Sequence, residues 1–243
     1  MASCKPGRPL ADGRRSDGVG EQKAIMTDDK DIEGWPSSFK VATAAQIHAL
    51  GQVTLVYNYL EEAVGQVFTE AMPTNQAFSE RLYHKLNNRD RIDLLSAVTQ
   101  ASDRDADLKE GILYLLNCHD ICTQNRNILM HAIIESVDAD IVTAFKKKSQ
   151  DPTREIQFRL PLADLRLVAD EMSSMFIYAM RLQSCISARA KHQPTEPTPE
   201  YIQSTIDALA TMPVKPPKPR ALSQYQPRVD QADGEFQSQS SST

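Results

Sequence analysis

Residues 52–68 read QVTLVYNYLEEAVGQVF, and the apolar positions Val53, Val56, Tyr57, Leu60, Val64, Val67 and Phe68 recur in steps of three and four. That spacing draws one face of an α-helix. It predicts a long first helix over 39–71, broken by Met72-Pro73-Thr74-Asn75. The same period continues outward from this stretch. A second helix is predicted over 77–100, with Phe78, Leu82, Ile92, Leu95 and Val98 inward and a polar Asn87-Asn88 step that bends it or ends it early. Ser102-Asp103-Arg104-Asp105 has the form of a capping box, and a third helix over 103–133 follows, burying Leu108, Ile112, Leu115, Leu116 and Ile121. A closing helix over 162–190 carries Leu165, Val168, Met172, Met175, Phe176, Ala179, Leu182 and Ile186. Between the last two helices, Ile141–Phe145 and Glu155–Leu160 flank a polar Lys146–Arg154 stretch and predict a β-hairpin. The expected fold class is all-α, an up-and-down four-helix arrangement with a small hairpin inserted before the last core helix.

The chain of 243 residues divides by composition. Residues 1–34, rich in Gly, Asp, Arg, Lys and Ser, predict a disordered leader, with Met26 an alternative start. Residues 35–191 hold nearly all the periodic hydrophobicity, enough for one core without disulfides or metals. Residues 192–243 form a Pro-, Gln- and Ser-rich tail with a short helix expected over 198–211. Pro213, Pro216, Pro217 and Pro219 predict extended polyproline geometry, and the Ser/Gln-rich end predicts disorder. Cys4, Cys118, Cys122 and Cys185 are scattered, no apolar signal region is visible, and no run approaches the ~18 residues that span a bilayer. A reduced, cytoplasmic protein with no membrane partner is expected. The net charge is −5, and residues 36–191 balance 17 Lys and Arg against 19 Asp and Glu. This balance argues against a generic nucleic-acid coater; any contact with RNA is expected to be local.

Chemistry concentrates in Gln124-Asn125-Arg126-Asn127-Ile128-Leu129-Met130-His131. A guanidinium offers a planar fork of donors to phosphate oxygens, and an imidazole shuttles a proton near neutral pH. Five residues along a helix turn through about 500°, so Arg126 and His131 point about 140° apart on a regular helix. They converge only if the helix frays or tightens, or if a second copy supplies part of the site. The plain alternative is a surface arginine and a histidine packed at a helix end. Arg81, Lys85 and Arg89, spaced by four, form either a basic ridge for an RNA backbone or a solvated face. Lys146-Lys147-Lys148 reads the same way. Cys118, His119 and Cys122 suggest zinc, but no second ligand pair with suitable spacing exists, so neither metal nor cofactor is expected. His119 lies seven residues before Arg126 on the same face.

Arg126-Asn127-Ile128-Leu129-Met130-His131, late in the third of the long helices, resembles the Arg-x4–6-His motif of the HEPN superfamily. The resemblance covers about residues 40–190. It implies a HEPN-like helical bundle acting as a homodimer with both motifs in one cleft. It further implies a metal-independent endoribonuclease, a toxin or phage-defence effector, leaving 2′,3′-cyclic phosphate and 5′-hydroxyl ends. In that reading His131 is general base or acid, Arg126 stabilises charge on the phosphate, and Asn127 orients the histidine or holds an oxygen. Leu60-Glu61 resembles the family's first-helix Leu-Glu step, which implies an ion pair of Glu61 with Arg126; the alternative is a solvated Glu61-Glu62 pair. RNA is the implied substrate and an antitoxin or regulatory protein an implied partner. Many members carry Gly after the motif histidine, where this chain has Ala132. That departure and the neutral core charge favour a non-catalytic HEPN-like module binding a partner protein or nucleotide. A third reading is an unrelated helical scaffold whose proline-rich tail is a peptide ligand.

Overall fold

A computed structural model describes residues 42–131, 133–137, 141–148, 151–191 and 199–222. The elements in order are α1 (Ala44–Ala71), α2 (Gln76–Lys85), α3 (Asn88–Ala101), α4 (Ala106–His131), β1 (Ile133–Val137), β2 (Ile141–Lys148), β3 (Asp151–Pro161), α5 (Leu162–Lys191) and α6 (Glu200–Ala210). The described protein is predominantly helical. The expected leader, residue Ala132 and the Ser/Gln-rich end lie outside the described residues.

Local chemistry sets the boundaries. A capping box opens α1: Gln46 N donates to Thr43 Oγ1 at 3.3 Å, and Thr43 N donates to Gln46 Oε1 at 2.9 Å. The expected second helix is two helices. Asn87 leaves the helical conformation and its side chain accepts from Asp90 N at 3.0 Å, so the carboxamide caps α3 where the chain would otherwise run on. The box expected at Ser102 does not form: its hydroxyl donates to Thr99 O at 2.8 Å and closes α3 instead. The opening of α4 is held by Asp107 Oδ1, which accepts from Leu108 N at 2.7 Å.

The predicted hairpin is found as β2 and β3, antiparallel, with Thr143 opposite Arg159. Two details differ from expectation. Lys146–Lys148 belongs to strand β2 rather than to the turn. The third helix, expected to reach Ile133, stops at His131, and Ile133–Val137 forms β1, which pairs with β2 and completes a sheet in the order β1-β2-β3. Ile133-Ile134 and Val137 are β-branched, and pairing with β2 outweighs the helical period.

One core joins α1, α4 and α5. Val53, Leu60 and Val67 from α1 meet Leu108, Ile112 and Leu115 from α4 and Leu165, Met172, Met175 and Leu182 from α5. Leu160 at the end of β3 enters the same core, as does Leu222 from beyond α6. Cys118 and Cys122 are buried free thiols, and burial pushes Cys122 up to about 12. Among the described residues, no group of three or more His, Cys, Asp or Glu is placed to hold a metal ion. None of their helices is long and apolar enough to cross a membrane.

Candidate functional site

The polar centre of the molecule is a cluster shared by α1, α3 and α4. Glu61 on α1 is its hub: Oε1 accepts from Arg91 Nη1, and Oε2 accepts from Tyr57 OH at 3.1 Å and lies 2.9 Å from His119 Nε2. Burial alone would raise the Glu61 carboxyl. The hydrogen bond and field of His119, with the Arg91 guanidinium, outweigh that and hold it at about 2. Tyr57 OH also meets Thr123 Oγ1 at 3.0 Å, and burial pushes this phenol up to about 12. The Tyr57 and His119 rings stack with centroids 6.1 Å apart. Arg91 is fixed twice more, donating through Nε to Tyr83 O at 2.8 Å and lying 4.0 Å from the Tyr83 ring centroid.

Arg126 sits on the rim of this cluster. Its guanidinium carbon is 5.5 Å from the Tyr57 ring centroid, and Nη1 donates to Asn127 Oδ1 at 3.1 Å. No carboxylate of the described residues pairs with it. The ion pair expected between Glu61 and Arg126 is therefore replaced by Glu61–Arg91, and Glu61 reaches Arg126 only through the hydroxyl and ring of Tyr57. Three buried polar atoms here have no partner among the described residues: Asn88 Oδ1, His119 Nδ1 and Arg126 Nε. Each such atom costs on the order of 1–3 kcal/mol unless solvent or a ligand supplies the partner.

His131 is the last residue of α4 and is exposed. The helix is regular up to it, with Met130 Sδ accepting from Thr54 Oγ1 at 3.1 Å against α1. No distortion turns His131 toward Arg126, and no hydrogen bond joins the two. The basic ridge is also interrupted. Arg81 and Lys85 lie exposed on α2, whereas Arg89 lies beyond the break on α3 and pairs with Asp93 at 3.0 Å.

Periodicity did not single out Arg91, Tyr57, Thr123 or Asn88 as site residues. The signal was present as polar residues at helical spacing: Tyr57 and Glu61 four apart, His119, Thr123 and Arg126 at steps of four and three, and Asn88 and Arg91 three apart. Each set marks the same polar stripe on a different helix.

No protein-family model, curated protein or solved structure matches this chain.

Proposed function

We propose that this chain is a metal-independent endoribonuclease of HEPN type, a toxin or defence effector built on a four-helix up-and-down bundle that works as a homodimer. The observation that carries the proposal is the state of Arg126, docked on Tyr57 and Asn127 yet not neutralised by any described carboxylate. A positioned, unneutralised guanidinium suits an anion whose charge grows during reaction. In this reading Arg126 takes the non-bridging phosphate oxygens and Asn127 holds its fork in plane. His131, exposed at the end of α4, removes the 2′-hydroxyl proton or protonates the leaving 5′-oxygen. Glu61 acts through Tyr57 rather than on Arg126 directly. Because α4 is regular between Arg126 and His131, a second copy is needed to bring one chain's histidine to the other's arginine.

A second reading, a non-catalytic helical module binding a partner protein or nucleotide, is favoured by the separation of Arg126 and His131 within one chain. RNA cleavage in EDTA separates the two. Arg126→Ala and His131→Ala are each expected to lose at least ~100-fold in rate while keeping wild-type circular dichroism. A mixture of the two variant chains is expected to regain part of the activity. Cleavage that persists in both variants overturns the assignment, and a wild-type chain that leaves RNA intact gives the second reading precedence.

A further inference from the structure

Residues 212–221 run without helix or strand along the face formed by α4 and α5, Leu222 starts a 3-10 turn, and the segment is bound there by side chains. Asn125, 1% exposed, spends its whole carboxamide on them: Nδ2 donates to Arg220 O at 2.7 Å, and Leu222 N donates to Oδ1 at 2.8 Å. Tyr114 OH donates to Pro216 O, and Glu171 Oε2 accepts from Arg220 N at 3.1 Å. Four main-chain groups of the segment are thus read by side chains, whatever the segment's own side chains are. Prolines suit such a seat, because they lack the N–H that would otherwise need a partner and they hold the chain extended beforehand.

Selectivity comes from charge and shape. The segment carries Lys215, Lys218 and Arg220 and no acid. Glu110 pairs with Lys215, whose ammonium lies 5.6 Å from the Tyr114 ring centroid, and Glu171 Oε1 pairs with Arg220 Nε at 3.3 Å. Leu222 fills an apolar socket at 1% exposure. At the other end Met212 lies over Gly111, where a Cβ would stand 2.6 Å from its methyl carbon. The helix that precedes the segment, α6, buries no residue, and Tyr201, Ile202 and Leu209 on it are exposed.

We infer that the α4/α5 groove is a peptide-recognition site for an extended, basic, proline-bearing segment of a partner protein, and that residues 212–222 are its tethered resident. The recognised pattern is a lysine, prolines, an arginine five residues after the lysine and a leucine two further on. A tethered resident acts at an effective concentration of order millimolar, so it shields the groove from weak or unrelated peptides. Only a segment of matching chemistry displaces it, and the released arm exposes Asn125 beside Arg126.

The probe is a fluorescein-labelled synthetic peptide of residues 212–222, titrated into full-length protein by anisotropy. Arg220→Glu with Leu222→Asp in the chain, both in the segment and not in the groove, removes the competitor. Hydrogen–deuterium exchange of the main-chain amides at positions 220 and 222, held by Glu171 and Asn125, reports its release. Peptide affinity is expected to rise at least tenfold over wild type, and adding Asn125→Ala is expected to abolish it while circular dichroism stays unchanged. A released arm without peptide binding overturns the inference, as does an arm that stays protected in the double variant. Light scattering that shows wild-type chains paired through exchanged arms, and monomeric in the double variant, assigns the groove to a second copy and overturns the partner reading.

Discussion

At Glu61 three groups share two oxygens: Arg91 on one, Tyr57 and His119 on the other. Being held at about 2 against an ordinary 4.5, the carboxyl has a folded pKa below its unfolded one. Its stabilisation is complete above about pH 4.5 and is lost as pH falls toward 2. Replacing it with a neutral isostere strands Arg91, whose side chain is 17% exposed. Glu61→Gln is expected to cost about 2–3 kcal/mol at pH 7 by urea unfolding, with the deficit narrowing between pH 4.5 and 2. A deficit that stays constant across that interval would show that the carboxylate's charge is not what stabilises the fold. The family resemblance implied a charged partner for Glu61, Arg126, with a solvated Glu61-Glu62 pair as the alternative. It named the wrong arginine, because Arg126 and Arg91 are equally arginine and only the packing of α3 against α1 chooses between them.

Among the elements, α4 carries opposite demands on its two faces. One presents Thr123 and His119 to Glu61's cluster, and the other presents Gly111, Tyr114 and Asn125 to the 212–222 segment. Gly111 shows the conflict. Alanine there gains up to ~1 kcal/mol in helix propensity, yet its methyl meets the Met212 side chain at 2.6 Å and the Tyr178 hydroxyl at 3.2 Å. Met212 is flexible and yields first. Gly111→Ala is therefore expected to leave global stability within about 1 kcal/mol of wild type while speeding hydrogen exchange of the Arg220 and Leu222 amides several-fold. Protection equal to wild type would show that the close approach of Met212 does not matter for holding the segment. Helix existence was legible from the three-and-four spacing, and so was the weak point at Asn87-Asn88. Boundaries were less so: Ser102 serves α3 rather than α4, and Ile133–Val137 joins a sheet, because each outcome depends on a neighbour far along the chain.

Across the molecule, Leu222 and Leu115 are both buried in one core but differ in what their loss releases. Leu115 lies on α4, and nothing short of global unfolding exposes it; Leu115→Ala is expected to cost about 3–4 kcal/mol. By the inference above the segment ending at Leu222 detaches alone, so the cost of Leu222→Ala is capped by that segment's docking energy, about 2 kcal/mol or less. Urea unfolding of both variants tests this, and equal costs would mean that the segment unfolds only with the whole core.

Periodicity, turn residues and composition determined by themselves that this protein is predominantly helical, where α1, α4 and α5 lie, and that Arg126 and His131 share a helix end. Those features follow from neighbours a few residues apart, which a sequence displays directly. Tertiary structure alone decided that Glu61 belongs to Arg91, that Arg126 rests on Tyr57, and that a proline-rich tail with no hydrophobic period is clamped by Asn125 from 97 residues away. The reason is physical. A buried ion pair or a main-chain clamp needs only one complementary group at the right point in space, and such a match leaves no period in the sequence to read.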